Sequence, residues 1–266
     1  MYNFQYANPT RICFGEGQIA RLPELIPAGS RLLVLYGGGS IKQNGVYEQL
    51  TQALAGREWL EFPGIGANPQ YDQLMEAVAL VKRERIDFLL AVGGGSVVDG
   101  TKFVAAAACF EEGDPWEILR DKAPIKGALP LGCVLTLPAT GSESNPASVV
   151  SRGEAKLSFY NPLVQPVFAV LDPATTYSLP PRQVGNGVVD AFVHILEQYL
   201  TFPVGGEVQD RLAEGLLQVL VDNGPRALAE PTNYQVRANL MWAASLALNG
   251  LIGRGVPQDL SLIHIS

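Results

Sequence analysis

The fold turns on the stretch Asp87-Phe88-Leu89-Leu90-Ala91-Val92-Gly93-Gly94-Gly95-Ser96-Val97-Val98-Asp99-Gly100-Thr101-Lys102. Phe88 to Val92 is an unbroken apolar run, the pattern of a strand buried on both faces. The three glycines that follow let the backbone turn tightly and leave its N–H groups uncovered. Ser96 and Asp99 stand three apart at the head of a helical pattern, a capping-box spacing. A helix N-terminus behind bare N–H groups attracts anions, and phosphate is the usual one. Taken alone, the stretch leaves two readings open. One is a phosphate site; the other is a buried strand and a well-capped helix that bind nothing.

Upstream, Arg31 to Tyr36 is a second apolar strand, and it too ends in a glycine turn, Gly37-Gly38-Gly39-Ser40. Thr10 to Phe14 and Trp59 to Phe62 read as short strands. Glu16 to Ile26, Gly45 to Ala55 and Tyr71 to Arg83 read as helices, the last with Leu74, Val78 and Val81 on one face. Strand and helix therefore alternate, which points to an α/β fold with a parallel sheet covered on both faces. In such a sheet both glycine turns fall at the carboxyl edge, where ligands bind. Neither turn is GxGxxG, so a standard Rossmann site is not supported.

Downstream, Leu131 to Leu137 is a further strand, closed by Pro138-Ala139-Thr140-Gly141-Ser142-Glu143-Ser144. Ala147 to Ser151 and Lys156 to Tyr160 suggest a hairpin, and Phe168 to Leu171 a last short strand. Past Pro180-Pro181 strand signals stop. Arg182 to Leu200, Glu207 to Val221 and Tyr234 to Ile252 read as helices, so a domain boundary is expected there.

The chain has 266 residues, 47% hydrophobic and 17% charged, enough for a sizeable core. A net charge of -7 argues against nucleic acid or an anionic membrane as partner. The start, Met1 to Pro9, lacks the regions of a signal peptide, and apolar runs such as Phe103 to Cys109 are too short to span a bilayer. Cys13, Cys109 and Cys133 are widely spaced and odd in number, as expected of reduced core thiols in a cytoplasmic protein.

Asp190 and His194 are four apart on the first C-terminal helix, on one face. A carboxylate and an imidazole so placed can hold a divalent metal; a surface or half-buried hydrogen bond is the plain alternative. Val188, Val189, Phe192 and Ile195 around them favour a mostly buried segment. Glu197, three past His194, is either a further ligand or a solvated residue, and the solvated reading is favoured. His194 and His264 are the only histidines, so no Ser-His-Asp set can be assembled.

Three motifs resemble those of the iron-containing alcohol dehydrogenases: Gly93 to Lys102, Leu135 to Glu143, and Asn186 to His194. The resemblance runs from about Thr10 to Asp259, and the turn Tyr36 to Ser40 resembles the NADPH-dependent aldehyde reductase, or butanol dehydrogenase, branch. It implies a dehydroquinate synthase-like architecture: an α/β NADPH-binding domain over residues 1–180, and the start of a helical metal-binding domain over 181–259. It implies hydride transfer between NADP(H) and an aldehyde or primary alcohol, with iron or zinc as Lewis acid, and is compatible with a homodimer. By the same resemblance Gly94, Gly95, Ser96 and Asp99 would hold the pyrophosphate, and Gly38, Gly39 and Ser40 the adenosine ribose. Thr136, Thr140 and Ser142 would line the way to the nicotinamide, Lys156 would stand near the cofactor, and Asp190 and His194 would bind the metal. Gly39 or Ser40, with Lys42 close by, occupies the place where a carboxylate would repel a 2′-phosphate, which favours NADPH.

The resemblance stops at Asp259. The next expected histidine falls on Ile263, and His264 is one place off. Residues 260–266 are therefore expected to be a non-native tail after a truncation, leaving two metal ligands. That keeps two alternatives in view: a non-enzymatic dinucleotide-binding fragment, and a metal-dependent lyase or synthase on the same fold.

Overall fold

Residue parity divides the core. In the computed structural model, which describes residues 1–259, Leu33, Leu35, Leu89, Ala91, Leu131, Cys133 and Leu135 face one side of a sheet. Their neighbours Leu32, Val34, Tyr36, Phe88, Leu90, Val92 and Val134 face the other. Both sides are buried, and this is why the strands read as continuous apolar runs rather than alternating ones.

The chain begins with β1 (Arg11–Phe14) and the single turn α1 (Leu22–Leu25). Next come β2 (Leu32–Tyr36), α2 (Val46–Ala53), β3 (Trp59–Phe62), α3 (Tyr71–Glu84), β4 (Phe88–Gly94) and α4 (Gly95–Ala108). A short α5 (Glu117–Arg120) precedes β5 (Leu131–Leu137). β6 (Ala147–Arg152) and β7 (Ala155–Tyr160) form an antiparallel hairpin, and β8 (Phe168–Leu171) returns to the main sheet. The six-stranded sheet is parallel in every pair, in the order β1-β8-β5-β4-β2-β3. From β2 the chain steps outward to β3, then crosses back to place β4 on the other side of β2. The strand order therefore reverses between β2 and β4, the strands that end in the two glycine turns.

α3 and α4 cover one face, with Val97, Val98, Phe103 and Val104 packed under them. α1 and α2 cover the other with Leu22, Val46 and Leu50. Gly132 in β5 is needed for packing: a Cβ there would lie 2.1 Å from the Phe168 ring, which stacks on Phe88 with centroids 6.1 Å apart. Each of these rings, fully buried, contributes about 1.5–3 kcal/mol.

After Pro180 three helices follow: α6 (Pro181–Tyr199), α7 (Glu207–Ala229) and α8 (Tyr234–Leu248). They share a separate core of Val184, Ala191, Ile195, Leu220, Val236 and Leu240. α7 runs eight residues past the expected end at Val221, straight through Pro225. Gly224 sits close against Val188, and this packing holds the helix together where local propensity would end it. Val189 is 61% exposed, against the buried position expected, and Cys109 is exposed rather than in the core. The tail over 260–266, with Ile263 and His264, lies outside the described residues. Among the described residues no helix is long and apolar enough to cross a membrane.

Candidate functional site

A cleft of about 330 Å³ opens between the carboxyl edge of the sheet and α6. Gly95, Ser96 and Asp99 line it from α4, Thr140 and Ser142 from the loop after β5, and Lys156 from the hairpin. Asp190 and His194 close the far side from α6. One space thus gathers most of the expected pyrophosphate and nicotinamide residues with the metal pair; Gly94 is not in its lining. Gly38, Gly39 and Ser40 stand outside this lining, beside it at the end of β2, and Thr136 is buried within β5.

The glycines make room for specific neighbours. A Cβ on Gly95 would meet the Thr140 hydroxyl at 2.5 Å, and one on Gly93 would meet Val97 at 2.6 Å. Gly39 has φ +96°, a left-handed conformation that favours glycine. α4 begins at Gly95 with Gly94 as its N-cap, and no side chain caps it. The expected Ser96–Asp99 capping box does not form. Its absence leaves the first N–H groups of a long helix facing the cleft without a side-chain partner, the arrangement that suits phosphate.

Asp99 works elsewhere. Its carboxylate accepts from the Ser142 hydroxyl and, at 3.0 Å, from the Val149 N–H, while its carbonyl accepts from Ser148. It fastens the β5 loop and the hairpin to α4. Burial pushes its carboxyl up, against the pull of Lys102 and these hydrogen bonds. So engaged, Asp99 ties the β5 loop and the hairpin to the start of α4 while still lining the cleft.

Lys102, one turn on, is fully buried. Its ammonium donates to Ser142 Oγ at 2.8 Å, Asn145 Oδ1 at 3.3 Å and the Ala147 carbonyl at 2.7 Å. Desolvation lowers it to about 8, opposed by the nearby charges of Asp99 and Glu143. Asn145 passes the connection to the helices, donating to the Leu248 carbonyl at 3.3 Å, and buried Glu143 accepts from Ser245 of α8. The loop over residues 140–145 is thus pinned by α4 on one side and α8 on the other. Sequence reading quoted Lys102 and Glu143 inside motifs but gave them no role, and missed Asn145. A lysine following GGGSxxD in an apolar helix was the available signal.

α6 reaches the cleft because Gly187 lets it lie on the strand end: a Cβ there would be 2.5 Å from the Pro138 carbonyl. One turn later, Asp190 Oδ2 is 3.6 Å from His194 Nε2. Two atoms bound to one divalent ion at about 2.0–2.1 Å each, in tetrahedral array, stand roughly 3.4 Å apart, so the pair has a suitable bite. Asp190 Oδ2 and His194 Nδ1 are buried without a hydrogen-bond partner. The other side of the imidazole faces Glu197, with Nδ1 3.6 Å from Oε2. Glu197 is buried, not solvated, because α6 turns positions 190, 194 and 197 inward together. A carboxylate behind a histidine that faces a metal position is the usual second support of such a ligand. The donors fit a divalent metal as part of a set: among the described residues no group of three His, Cys, Asp or Glu is placed to hold one ion.

Comparison with known proteins agrees with this geometry. Residues 9–173 match the family described as iron-containing alcohol dehydrogenase, and residues 185–256 match the C-terminal part of the Fe-containing alcohol dehydrogenase family. The chain is 61% identical over 263 residues to the NADPH-dependent aldehyde reductase YqhD of Escherichia coli, covering 97% of this chain and 68% of that protein. It is 43% identical to the probable NADH-dependent butanol dehydrogenase 1 of Bacillus subtilis, with coverage of 97% and 68%. The crystal structure of E. coli YqhD superposes with a TM-score of 0.96 over 98% of this chain and 68% of that one, at 60% identity. The NADH-dependent butanol dehydrogenase A of Thermotoga maritima superposes with a TM-score of 0.92 at 41% identity, over 97% and 66%. The chain belongs to the iron-containing alcohol dehydrogenase family, metal-dependent oxidoreductases of alcohols and aldehydes.

Proposed function

We propose that the chain binds NADP(H) at the carboxyl edge of its sheet and presents it in the cleft below α6, the reduced form to an aldehyde and the oxidised form to a primary alcohol. The observation that carries this reading is that one cleft joins the uncapped start of α4 to the Asp190/His194 pair. A phosphate-bearing cofactor and a metal can therefore meet there. We assign residues 1–180 to cofactor binding and 181–259 to the metal side, a division supported by the separate helical core.

When bound, the dinucleotide supplies hydride, and a divalent metal supplies a Lewis acid that polarises the carbonyl. This chain's residues do the positioning. The N–H groups at Gly95 and Ser96 receive the pyrophosphate, and Gly38, Gly39 and Ser40 receive the ribose. Thr140 and Ser142 shape the passage inward. Lys156, exposed on the hairpin at the cleft mouth, offers a cation toward the cofactor. Asp190 and His194 hold the metal side. Preference for NADPH is supported by the absence of a carboxylate at Gly39 and Ser40 and by the name of the E. coli relative.

We further propose that this chain binds dinucleotide without turning over aldehyde. Catalytic zinc-type sites take three protein ligands, and the described residues converge two. NADPH oxidation with short aldehydes, with and without added Zn²⁺ or Fe²⁺, tests both readings beside a calorimetric titration of NADPH. Binding without turnover is expected. Metal-stimulated turnover would refute the fragment reading, and absence of binding would refute the cofactor reading.

A further inference from the structure

The carboxyl end of β2 carries a charged cluster that the reading above does not use. Glu61, in the edge strand β3, accepts from Tyr36 Oη at 2.5 Å, from Lys42 Nζ at 3.0 Å and from the Tyr47 hydroxyl. These partners come from three places. Tyr36 ends β2, Lys42 closes the single turn after Gly39, and Tyr47 begins the exposed flank of α2. The Lys42 ammonium also lies 4.6 Å from the Tyr47 ring centre and 5.4 Å from that of Tyr36. Burial alone would raise the Glu61 carboxyl, but the hydrogen bonds from Tyr36, Tyr47 and Lys42 outweigh it and hold it below its ordinary value. Contacts with Tyr36 and Glu61 in turn hold the ammonium charged.

This is the strand end at which a dinucleotide fold reads the adenosine ribose. A carboxylate there suits two free hydroxyls, and a cation suits a 2′-phosphate. The chain carries both, and they are paired with each other. Glu61 arrives from the neighbouring strand, twenty-one residues beyond the turn at Ser40, where inspection of the turn alone does not find it. We propose that Glu61 is a specificity-determining residue: it holds Lys42 in reserve, and a 2′-phosphate binds by taking Lys42 away from it. NADH, which lacks the phosphate, leaves the pair closed. NADPH must open it, and the preference for NADPH is therefore smaller than Lys42 by itself would give. This rests on the proposed placing of the ribose at Gly38 to Ser40.

Dissociation constants for NADPH and NADH, measured by calorimetry on the full chain, test it without any need for turnover. Titrations with 2′,5′-ADP and 5′-AMP isolate the phosphate. Glu61→Gln keeps one acceptor oxygen for a phenol, offers its amide N–H to the other phenol oxygen, and removes the charge. It should tighten NADPH roughly 2- to 5-fold, the scale of one exposed ion pair, and leave NADH unchanged. Lys42→Met should weaken NADPH about tenfold and leave NADH within about twofold. In the Lys42→Met background the Glu61→Gln gain should vanish, since no ammonium remains to be released. An unchanged NADPH-to-NADH ratio in Glu61→Gln overturns the proposal. So does a gain that persists without Lys42, which would mean simple repulsion. If both cofactors bind the unsubstituted chain but neither variant changes their ratio, only the role of Glu61 fails. If neither cofactor binds, the dinucleotide reading falls with it.

Discussion

Two glycines two residues apart on α6 should respond oppositely to the same substitution. At Gly187 a Cβ would lie 2.5 Å from the Pro138 carbonyl oxygen, where ordinary contact begins at 3.4 Å. Helix and loop must then separate by roughly 0.9 Å, and overpacking of this kind costs about 1–3 kcal/mol. Replacing glycine by alanine within a helix returns about 1 kcal/mol. Gly187→Ala should therefore be neutral to destabilising by about 2 kcal/mol. Gly185 has nothing within 4 Å of its built Cβ, so Gly185→Ala should show the helix gain alone. At about 2–4 °C per kcal/mol for a chain of this size, Tm should rise by a few degrees in Gly185→Ala and stay or fall in Gly187→Ala. Differential scanning calorimetry reads both. The shift in Gly187→Ala also carries Asp190 and His194 away from Thr140 and Gly95, so its metal response should weaken while NADPH binding holds. Equal stabilisation of the two variants would refute the claim that α6 rests on the Pro138 carbonyl.

Other consequences follow from the loop that joins the two halves. Lys102→Met strands Asp99 and removes donors from Ser142, Asn145 and Ala147, and should cost about 3–5 kcal/mol in urea unfolding. Because burial lowers Lys102 to about 8 from 10.5, the unfolded chain binds more protons between those values. This group then makes stability rise with pH across that window, a slope that Lys102→Met should lack. Glu143 has the opposite sign. Burial raises its carboxyl despite the Ser245 hydrogen bond, so the folded state holds this proton longer. Its contribution to stability is full below the ordinary carboxylate value and is lost as pH rises through the raised one; Tm against pH should show that step, and Glu143→Gln should remove it. Titration with a thiol reagent should find Cys109 in the native protein and all three cysteines in denaturant. Cys13 and Cys133 are buried, and burial pushes the Cys133 thiol well up.

The strands were legible because a sheet covered on both faces needs unbroken apolar runs, and Leu32–Tyr36, Phe88–Val92 and the first five residues of β5 have them. The order of the strands was not, since nothing local records that β4 crosses back beside β2. A site residue set by backbone demands was also legible: Gly95 marks a close approach that no other residue allows, whereas the approach at Gly187 was not foreseen. Residues set by partners distant in sequence were not legible. Ser96 and Asp99 have the spacing of a local cap, but Asp99 is claimed by Ser142 and Val149, more than forty residues away. Glu197 looks like one more charge on a helix until α6 turns it inward beside His194, and Glu61 like an edge-strand carboxylate until Lys42 is placed beside it. Pro225 shows the same conflict in reverse. Local propensity ends α7 near it, while the contact of Gly224 with Val188 carries the helix on.

Asp190 Oδ2 and His194 Nδ1 on α6 allow a test of the metal side that needs no catalysis. A buried polar atom without a partner costs about 1–3 kcal/mol, and both Asp190 Oδ2 and His194 Nδ1 are in that state, 3.6 Å from their nearest opposite groups. Such a cost persists in a folded chain where something outside the protein relieves it. A divalent ion seated on Asp190 Oδ2 and His194 Nε2 would relieve the carboxylate directly, and would draw the Nδ1 proton toward Glu197 on the other side of the ring. Binding to the folded state alone raises stability by about 2.7 kcal/mol at a hundredfold excess over Kd. Zn²⁺ should therefore raise the Tm of this chain by several degrees, at concentrations well above those a complete ligand set would need. His194→Ala removes one donor and opens space, so its Tm without metal is lower, but the decisive quantity is the increment on adding Zn²⁺. That increment should vanish in both His194→Ala and Asp190→Asn while NADPH binding is kept. An equal Zn²⁺ increment in the variants would place the ion elsewhere and leave the pair as an ordinary buried contact on a helix.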